Sequence, residues 1–313
     1  MTSFAQLTDE VVINLAGYTQ RQDQATYLTA AVTDTPTVAY PSTSNGGWNN
    51  DSYYKIHVQD GTTLSRGIIE VDDELIWIDS FDQVNSVAYA SPSGRGYRGT
   101  TIASHTAGSR VTINPSYPRS IIQKNINMAI NAVYPDLFGV YYTTFPFIAA
   151  RNTYALPSEA LNVLDVKWQT IGPSKEWLPI RRWRIDKTAN ITAFSSSKSV
   201  SIYDGIVPGR TVQVVYTKKP TELMLPTDDF TDSGLQDSER EVIVLGAAWR
   251  TAAYLDAPRV TAMSVEADAL DQSNPSGAGT QVSRYLFAQY QNRLQMAIRR
   301  QEELFPTRVH YTR

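Results

Sequence analysis

Over residues 32–113 the apolar residues of this chain come in short runs broken by Gly, Asn, Asp and Ser, and a second block of this kind spans residues 140–222. Short apolar runs bounded by turn formers suit strands that cross a core and turn back. Candidate strands in the first block are residues 53–58, 67–71, 74–79, 87–90 and 110–113. In the second they are 152–156, 163–169, 177–184, 200–203 and 211–217, separated by Pro157, Gly172-Pro173, Asp204-Gly205 and Pro208-Gly209. Two Gly- and Ser-rich clusters, residues 42–47 and 91–96, mark turns in the first block.

Helical periodicity occupies the segments around these blocks. Phe4, Leu7, Val11, Leu15 and Tyr18 fall on one helical face, as do Ile121, Ile122, Ile126, Ala129, Ile130 and Val133 before Pro135. A capping-box pattern, Ser238-x-x-Glu241, precedes Val242, Leu245, Trp249, Ala252 and Ala253. A short helix over 259–271, a breaker at 273–279 and a last helix over 280–304 follow, with Pro306 ending the series. The expected fold class is α+β: a helical bundle framework carrying two inserted β-rich modules, one hairpin-rich and one a small β-sandwich. The expected organisation is an N-terminal helix and linker (1–30), a first β-rich module with an exposed hairpin arm (31–114) and a central helix (115–139). A second β-rich module (140–222), C-terminal helices (223–304) and an extended tail (305–313) complete it.

Composition narrows the function classes. A formal charge of −3 excludes a globally basic nucleic-acid binder, and the absence of Cys excludes disulfides, thiolate metal sites and thiol nucleophiles. The first residues carry neither a basic start nor an unbroken apolar run, and no stretch approaches the ~20 apolar residues that span a bilayer. A soluble protein made in the cytoplasm is expected. The 18 Tyr, against 9 Phe, suit surfaces that are wet first and buried later.

Residue patterns for catalysis are weak. His57, His105 and His310 stand far apart, without a second ligand at helical spacing. The stretch from Gly94 to Gly99 lacks the Lys-Ser/Thr pair of a phosphate loop and reads as tight turns. Asp228 to Gly234 fails as a calcium loop because Phe230 takes a ligand position, and reads as a linker that caps the next helix. Acid pairs such as Asp72/Asp73 and Glu302/Glu303 lack a recognisable sugar cleft, and no Gly-x-Ser-x-Gly occurs. Neither an enzyme nor a cofactor is expected. One charged feature remains: residues 280–313 hold six Arg against two Glu, a net +4. Arginine forks suit an acidic protein surface; a solvated helix face and DNA phosphate are the alternatives.

Two stretches resemble proteins of tailed-bacteriophage particles. The first is residues 95–111, RGYRGTTIASHTAGSRV, preceded by ELIWI at Glu74–Ile78. The second is YLFAQY at 285–290 with RRQEELFPTRVHYTR at 299–313, which is similar to head-to-tail connector (adaptor) proteins that dock on the portal through the C-terminus. The resemblance implies a structural virion protein at the head–tail junction, in a ring of about twelve copies around the DNA channel. Its implied partners are the portal protein, a stopper or tail-completion protein, other copies of itself, and DNA passing without sequence-specific binding; no membrane is implied. Arg95, Tyr97, Arg98 and His105 are then expected on a subunit-contact arm, and Arg293, Arg299 and Arg300 on a C-terminal helix interface. The portal-binding tail is expected at Phe305, Arg308, Val309, Tyr311 and Arg313. A tail or baseplate protein that binds host glycan through Trp48, Trp77, Trp168, Trp177 and Trp183 is the alternative.

Overall fold

The turn formers stand where strands end. The computed structural model describes residues 2–16, 23–35, 38–39, 52–171, 175–253 and 278–306. The chain divides into two units, Val11–Lys124 and Met1–Glu10 with Asn125–Arg313.

In the first unit the strands are β1 (Gln24–Tyr27), β2 (Val38–Ala39), β3 (Ser52–His57), β4 (Gly67–Val71), β5 (Glu74–Ile78), β6 (Ser80–Asp82), β7 (Val87–Ala90) and β8 (Arg110–Ile113). They form two antiparallel sheets, in the orders β1-β8-β4-β5 and β2-β3-β7-β6. Ile56, Ile69, Val71, Ile76, Ile78, Ala88 and Val111 belong to one buried core, the alternate residues of each strand pointing inward. β4 and β5 join through Asp72-Asp73, with Asp72 in the left-handed region at φ +52°, which Asp tolerates better than most residues.

The second unit repeats the scheme. β9 (Gly139–Pro146), β11 (Asn162–Gln169), β12 (Trp177–Pro179) and β15 (Thr211–Lys218) make a sheet in the order β12-β11-β15-β9. β10 (Thr153–Ala155), β13 (Trp183–Asp186) and β14 (Ser199–Ile202) make another, ordered β10-β14-β13. Tyr154, Val166, Val200, Ile202, Val212, Val214 and Tyr216 share one core. The single strand expected over 177–184 is two strands in two sheets. Between them the Asp204 carboxylate accepts hydrogen bonds from the amides of Arg181 (2.7 Å) and Arg182 (3.1 Å), which fixes the crossover.

Four helices complete the described residues: α1 (Phe4–Ala16), α2 (Arg119–Ala132), α3 (Arg240–Ala253) and α4 (Ala278–Leu304). On α1, Phe4, Leu7, Val11 and Leu15 are buried while Ile13 is exposed. Gly246 of α3 lets helices approach closely, since a Cβ there would lie 3.0 Å from Ala129 of α2 and 3.3 Å from Tyr290 of α4. The cap before α3 is not the expected Ser238/Glu241 pair: the Glu239 carboxylate accepts from the Gln236 amide at 2.8 Å.

The expected helical bundle framework is not what the chain builds. The protein is mostly β-sheet, in four sheets of three or four antiparallel strands among the described residues, and the helices are accessories to them. Helical periodicity is easy to see over three or more turns, whereas all strands but β9, β11 and β15 have six residues or fewer, so pattern reading gives the helices too much weight. Tyr18, the turn cluster at 42–47, Trp48, the short helix expected over 259–271, and His310 lie outside the described residues. So do the tail residues Arg308, Val309, Tyr311 and Arg313.

Candidate functional site

The stretch that carries the first resemblance folds back over the outer face of β5. Two tight turns, Pro92–Gly94 and Tyr97–Gly99, lead into an extended segment that returns to β8. Thr100 is tied to β5, its hydroxyl accepting from the Leu75 amide at 3.1 Å, and the rings of Tyr97 and Trp77 lie 5.5 Å apart. Gly96 sits at φ +60°, where an added Cβ would come within 2.7 Å of the Thr100 carbonyl oxygen. The glycine therefore belongs to a close-packed turn.

Beneath this turn lies a buried polar cluster. The Arg95 fork donates to both carboxylate oxygens of Glu74, Nε to Oε1 at 2.7 Å and Nη2 to Oε2 at 2.9 Å, and both side chains are almost wholly buried. Arg95 Nη1 also donates to the Thr33 carbonyl, and the guanidinium covers the Tyr54 ring at 4.5 Å. Glu74 accepts two further bonds from the amides of Gly96 (2.9 Å) and Ala103 (3.0 Å). His105 bridges the Glu74 carboxylate through Nε2 (2.9 Å) and the Asp72 carboxylate through Nδ1 (2.8 Å). Four chain segments, at Thr33, Glu74, Gly96 and Ala103, thus meet on one ion pair.

Electrostatics follows from this geometry. Burial pushes the Glu74 carboxyl up, but the bonds from Arg95, His105, Ala103 and Gly96 outweigh it and hold the group at about 2. Burial lowers the His105 pKa, and the two carboxylates more than reverse that, so it rises above the ordinary value. Glu70, on the neighbouring strand, behaves oppositely. Burial raises it to about 7, against a 2.6 Å bond from the Arg119 amide at the start of α2 and the nearby Arg119 charge. The partners of the cluster come from the loop, the β4–β5 hairpin and the Thr33 carbonyl, all within the same module, so what the cluster does chemically is fasten.

Arg95 and His105, expected on an exposed subunit-contact arm, are buried, and neither side chain is available to a neighbour. The reason is Glu74: a carboxylate at the edge of a buried strand must be paired, and this loop supplies the partners. Tyr97 is half-buried against Trp77, and Arg98 is exposed. Sequence reasoning missed the arginine–carboxylate pairing, although Glu74 opening a wholly apolar run was a legible signal.

At the C-terminus, Leu286, Tyr290, Leu294, Ala297 and Gln301 form the buried stripe of α4. Gln301 clamps Phe138, donating to its carbonyl at 2.7 Å and accepting from its amide at 3.3 Å. Arg299 and Arg300 point to solvent, Arg293 pairs with Glu241 of α3 at 3.1 Å, and Phe305 is half-buried just past the helix end. Among the tryptophans, Trp168 and Trp183 pack against the core of the second module and Trp177 is partly exposed. Asp229 and Asp232 cap a short turn rather than facing a shared cavity. No group of three or more His, Asp or Glu among the described residues is arranged to hold a metal ion.

The two β modules differ in charge. Residues 24–113 hold five basic and nine acidic side chains, a net −4, whereas residues 139–218 hold ten basic and five acidic, a net +5. No helix among the described residues is long and apolar enough to cross a membrane. No protein-family model and no curated protein matches the chain.

Proposed function

We propose that this chain is a non-enzymatic structural protein of a tailed-bacteriophage particle, a head-to-tail adaptor that forms a ring on the portal and extends the DNA channel towards the tail. The observation that carries this reading is the opposite charge of the two β modules, −4 and +5, within one chain. A protein with unlike surfaces of opposite sign associates head to tail, and head-to-tail contacts close into rings when the rotation between copies allows it. The fastened loop fits the same role, because a buried and fully satisfied ion cluster holds each repeated subunit to a single shape.

The end of α4 supplies the second support. Exposed Arg299 and Arg300, on the last turns of the helix, and the half-buried Phe305, which opens the tail, all fall in the stretch that resembles adaptor proteins. Their planar forks recognise carboxylates in pairs, which suits an acidic rim on the portal protein. The opposite face of the ring then receives the stopper or tail-completion protein.

The test is negative-stain imaging of portal-bearing heads incubated with the purified protein. A ring of added density beneath the portal is expected, reduced by Arg299→Glu with Arg300→Glu and abolished by truncation after Leu304. Unchanged heads, or turnover of nucleotide, DNA or peptidoglycan that disappears on changing one Asp, Glu or His, would contradict the reading.

A further inference from the structure

A hairpin tip in the acidic module is built to a fixed shape and left uncovered. It joins β6 to β7 and carries Val84, which is 93% exposed. The Asp82 carboxylate accepts from the amides of Val84 and Asn85, each at 3.0 Å, and from the Asn85 side chain. Gln83 reaches across to the carbonyl oxygens of Thr62 and Leu64, and the Gly61 amide donates to the Ser86 hydroxyl at 3.1 Å. A Cβ on Gly61 would lie 2.5 Å from Ser86 Cα, so the tip and the turn at Asp60 are locked together. Asp60, capping that turn through Thr62, adds a second carboxylate next to the tip. The result is an apolar knob flanked by two acids whose positions are set before any contact is made.

The basic module offers the complementary face. Trp183 and Ile185 of β13 pack on the core, so the alternation of the strand turns Arg182 and Arg184 outward, and both are exposed. Tyr203, half exposed, continues the neighbouring strand beside Arg182, its amide donating to the Arg182 carbonyl oxygen at 2.9 Å. The bonds that the Arg181 and Arg182 amides donate to the Asp204 carboxylate hold this edge in place. Two guanidinium groups beside an exposed tyrosine ring match two carboxylates beside an exposed valine.

We propose that the Val84 knob of one copy docks on the Arg182–Arg184–Tyr203 face of another, and that this is the contact repeated around the assembly. The proposal rests on the reading of the protein as a self-assembling ring component and names the surfaces that make it. Charge complementarity selects a second copy as the occupant, because knob and face occur in the same chain with opposite sign and an assembly of one component brings them together in equal numbers.

The chain has no Cys, so engineered thiols report contacts without background. One preparation carries Val84→Cys and another Tyr203→Cys, which confines any mixed disulfide to contacts between copies. Mixed at high concentration under mild oxidation and low ionic strength, the two are expected to give a disulfide-linked dimer, because a disulfide needs Cβ atoms within about 4.5 Å. A Val84→Cys and Met296→Cys mixture should give far less, Met296 being an exposed control on α4. The dimer should disappear in about 1 M salt, where screening sets in within about 3 Å, and when Arg182→Glu and Arg184→Glu are added to the Tyr203→Cys copy. These substitutions change exposed side chains and leave the backbone bonds to Asp204 intact. A yield no greater than the control, or one insensitive to both salt and charge reversal, overturns the proposal. Imaging the same proteins on portal-bearing heads separates the two claims. Rings that form without this cross-link reject these surfaces and spare the adaptor reading, while failure to bind heads in any form rejects the adaptor reading.

Discussion

The two β modules bury their charges differently, and the contrast shows where a chain can keep polar chemistry. The acidic module places Glu70, Glu74, Arg95 and His105 inside, each at 5% exposure or less. The basic module keeps its Asp, Glu, Lys and Arg side chains out of the core, as with Lys167 beside Asp165 at 3.2 Å and Lys218 beside Glu159 at 2.8 Å, and fills its centre with Val, Ile and aromatic rings. Sheets close the core in both. In the first, however, a loop of 19 residues, from 91 to 109, must also be held down, and it has little apolar surface with which to do so. A buried ion pair does this because it becomes costly as soon as one partner is removed.

That difference can be broken at several strengths. Removing the Glu74 carboxylate by Glu74→Ala strands Arg95 in a buried site and should cost roughly 3–5 kcal/mol. The equivalent Glu159→Ala in the basic module removes a partly exposed partner and should cost at most about 1 kcal/mol. Urea denaturation of the two variants measures both, and equal losses would erase the distinction.

The pH dependence sharpens the comparison further. Glu70 is an acid whose folded pKa, about 7, lies above its ordinary value, so the folded state holds the proton longer than the unfolded state. Its stabilising contribution is present below the ordinary carboxyl range and is lost as pH rises to about 7, roughly 3 kcal/mol in all. His105, also raised, adds stability that is present at acid pH and lost as pH rises through its folded value. Glu74, held at about 2, changes nothing between pH 5 and 8 and matters only as pH falls through the acid range. The acidic module should therefore unfold more easily at pH 8 than at pH 5, and Glu70→Gln should remove most of that fall. Melting curves across this range are the check.

Smaller effects complete the series. Gly96→Ala forces a Cβ into a left-handed turn against the Thr100 carbonyl and should cost about 1–2 kcal/mol, measured by thermal unfolding. Asp204→Ala in the basic module leaves the amides of Arg181 and Arg182 open to water, so its cost should be about 1 kcal/mol in the same measurement.

Strand positions were largely visible in the sequence, since Gly, Pro and Asp interrupt the apolar runs where β4, β5, β11 and β15 end. Strands β1, β2, β6 and β9 escaped notice, and the longest of these is β9. Its Gly-Val-Tyr-Tyr-Thr-Thr-Phe-Pro lacks a clean apolar alternation because Tyr and Thr serve both faces, with Tyr142 exposed and Tyr141 against the core. The crossover at Arg181-Arg182 was invisible because it depends on Asp204, more than twenty positions away. For the site, the motif residues could be picked out but their orientation could not. A run of Gly, Ser and Arg looks solvated until Glu74, 21 residues before Arg95, is known to lie beneath it. Pairing across such separations is a property of the sheet, and local pattern carries no record of it.

Amide hydrogen exchange at Gly96 and Ala103 decides most directly whether the segment around Arg95 is a fastened piece of the framework or a free arm. Both amides donate to the buried Glu74 carboxylate, at 2.9 and 3.0 Å. They should exchange as slowly as the β4–β5 ladder amides, opening only when the acidic module unfolds, and should become fast in Glu74→Ala. Exchange of Gly96 and Ala103 at the rate of an unstructured peptide in the intact protein would contradict the account.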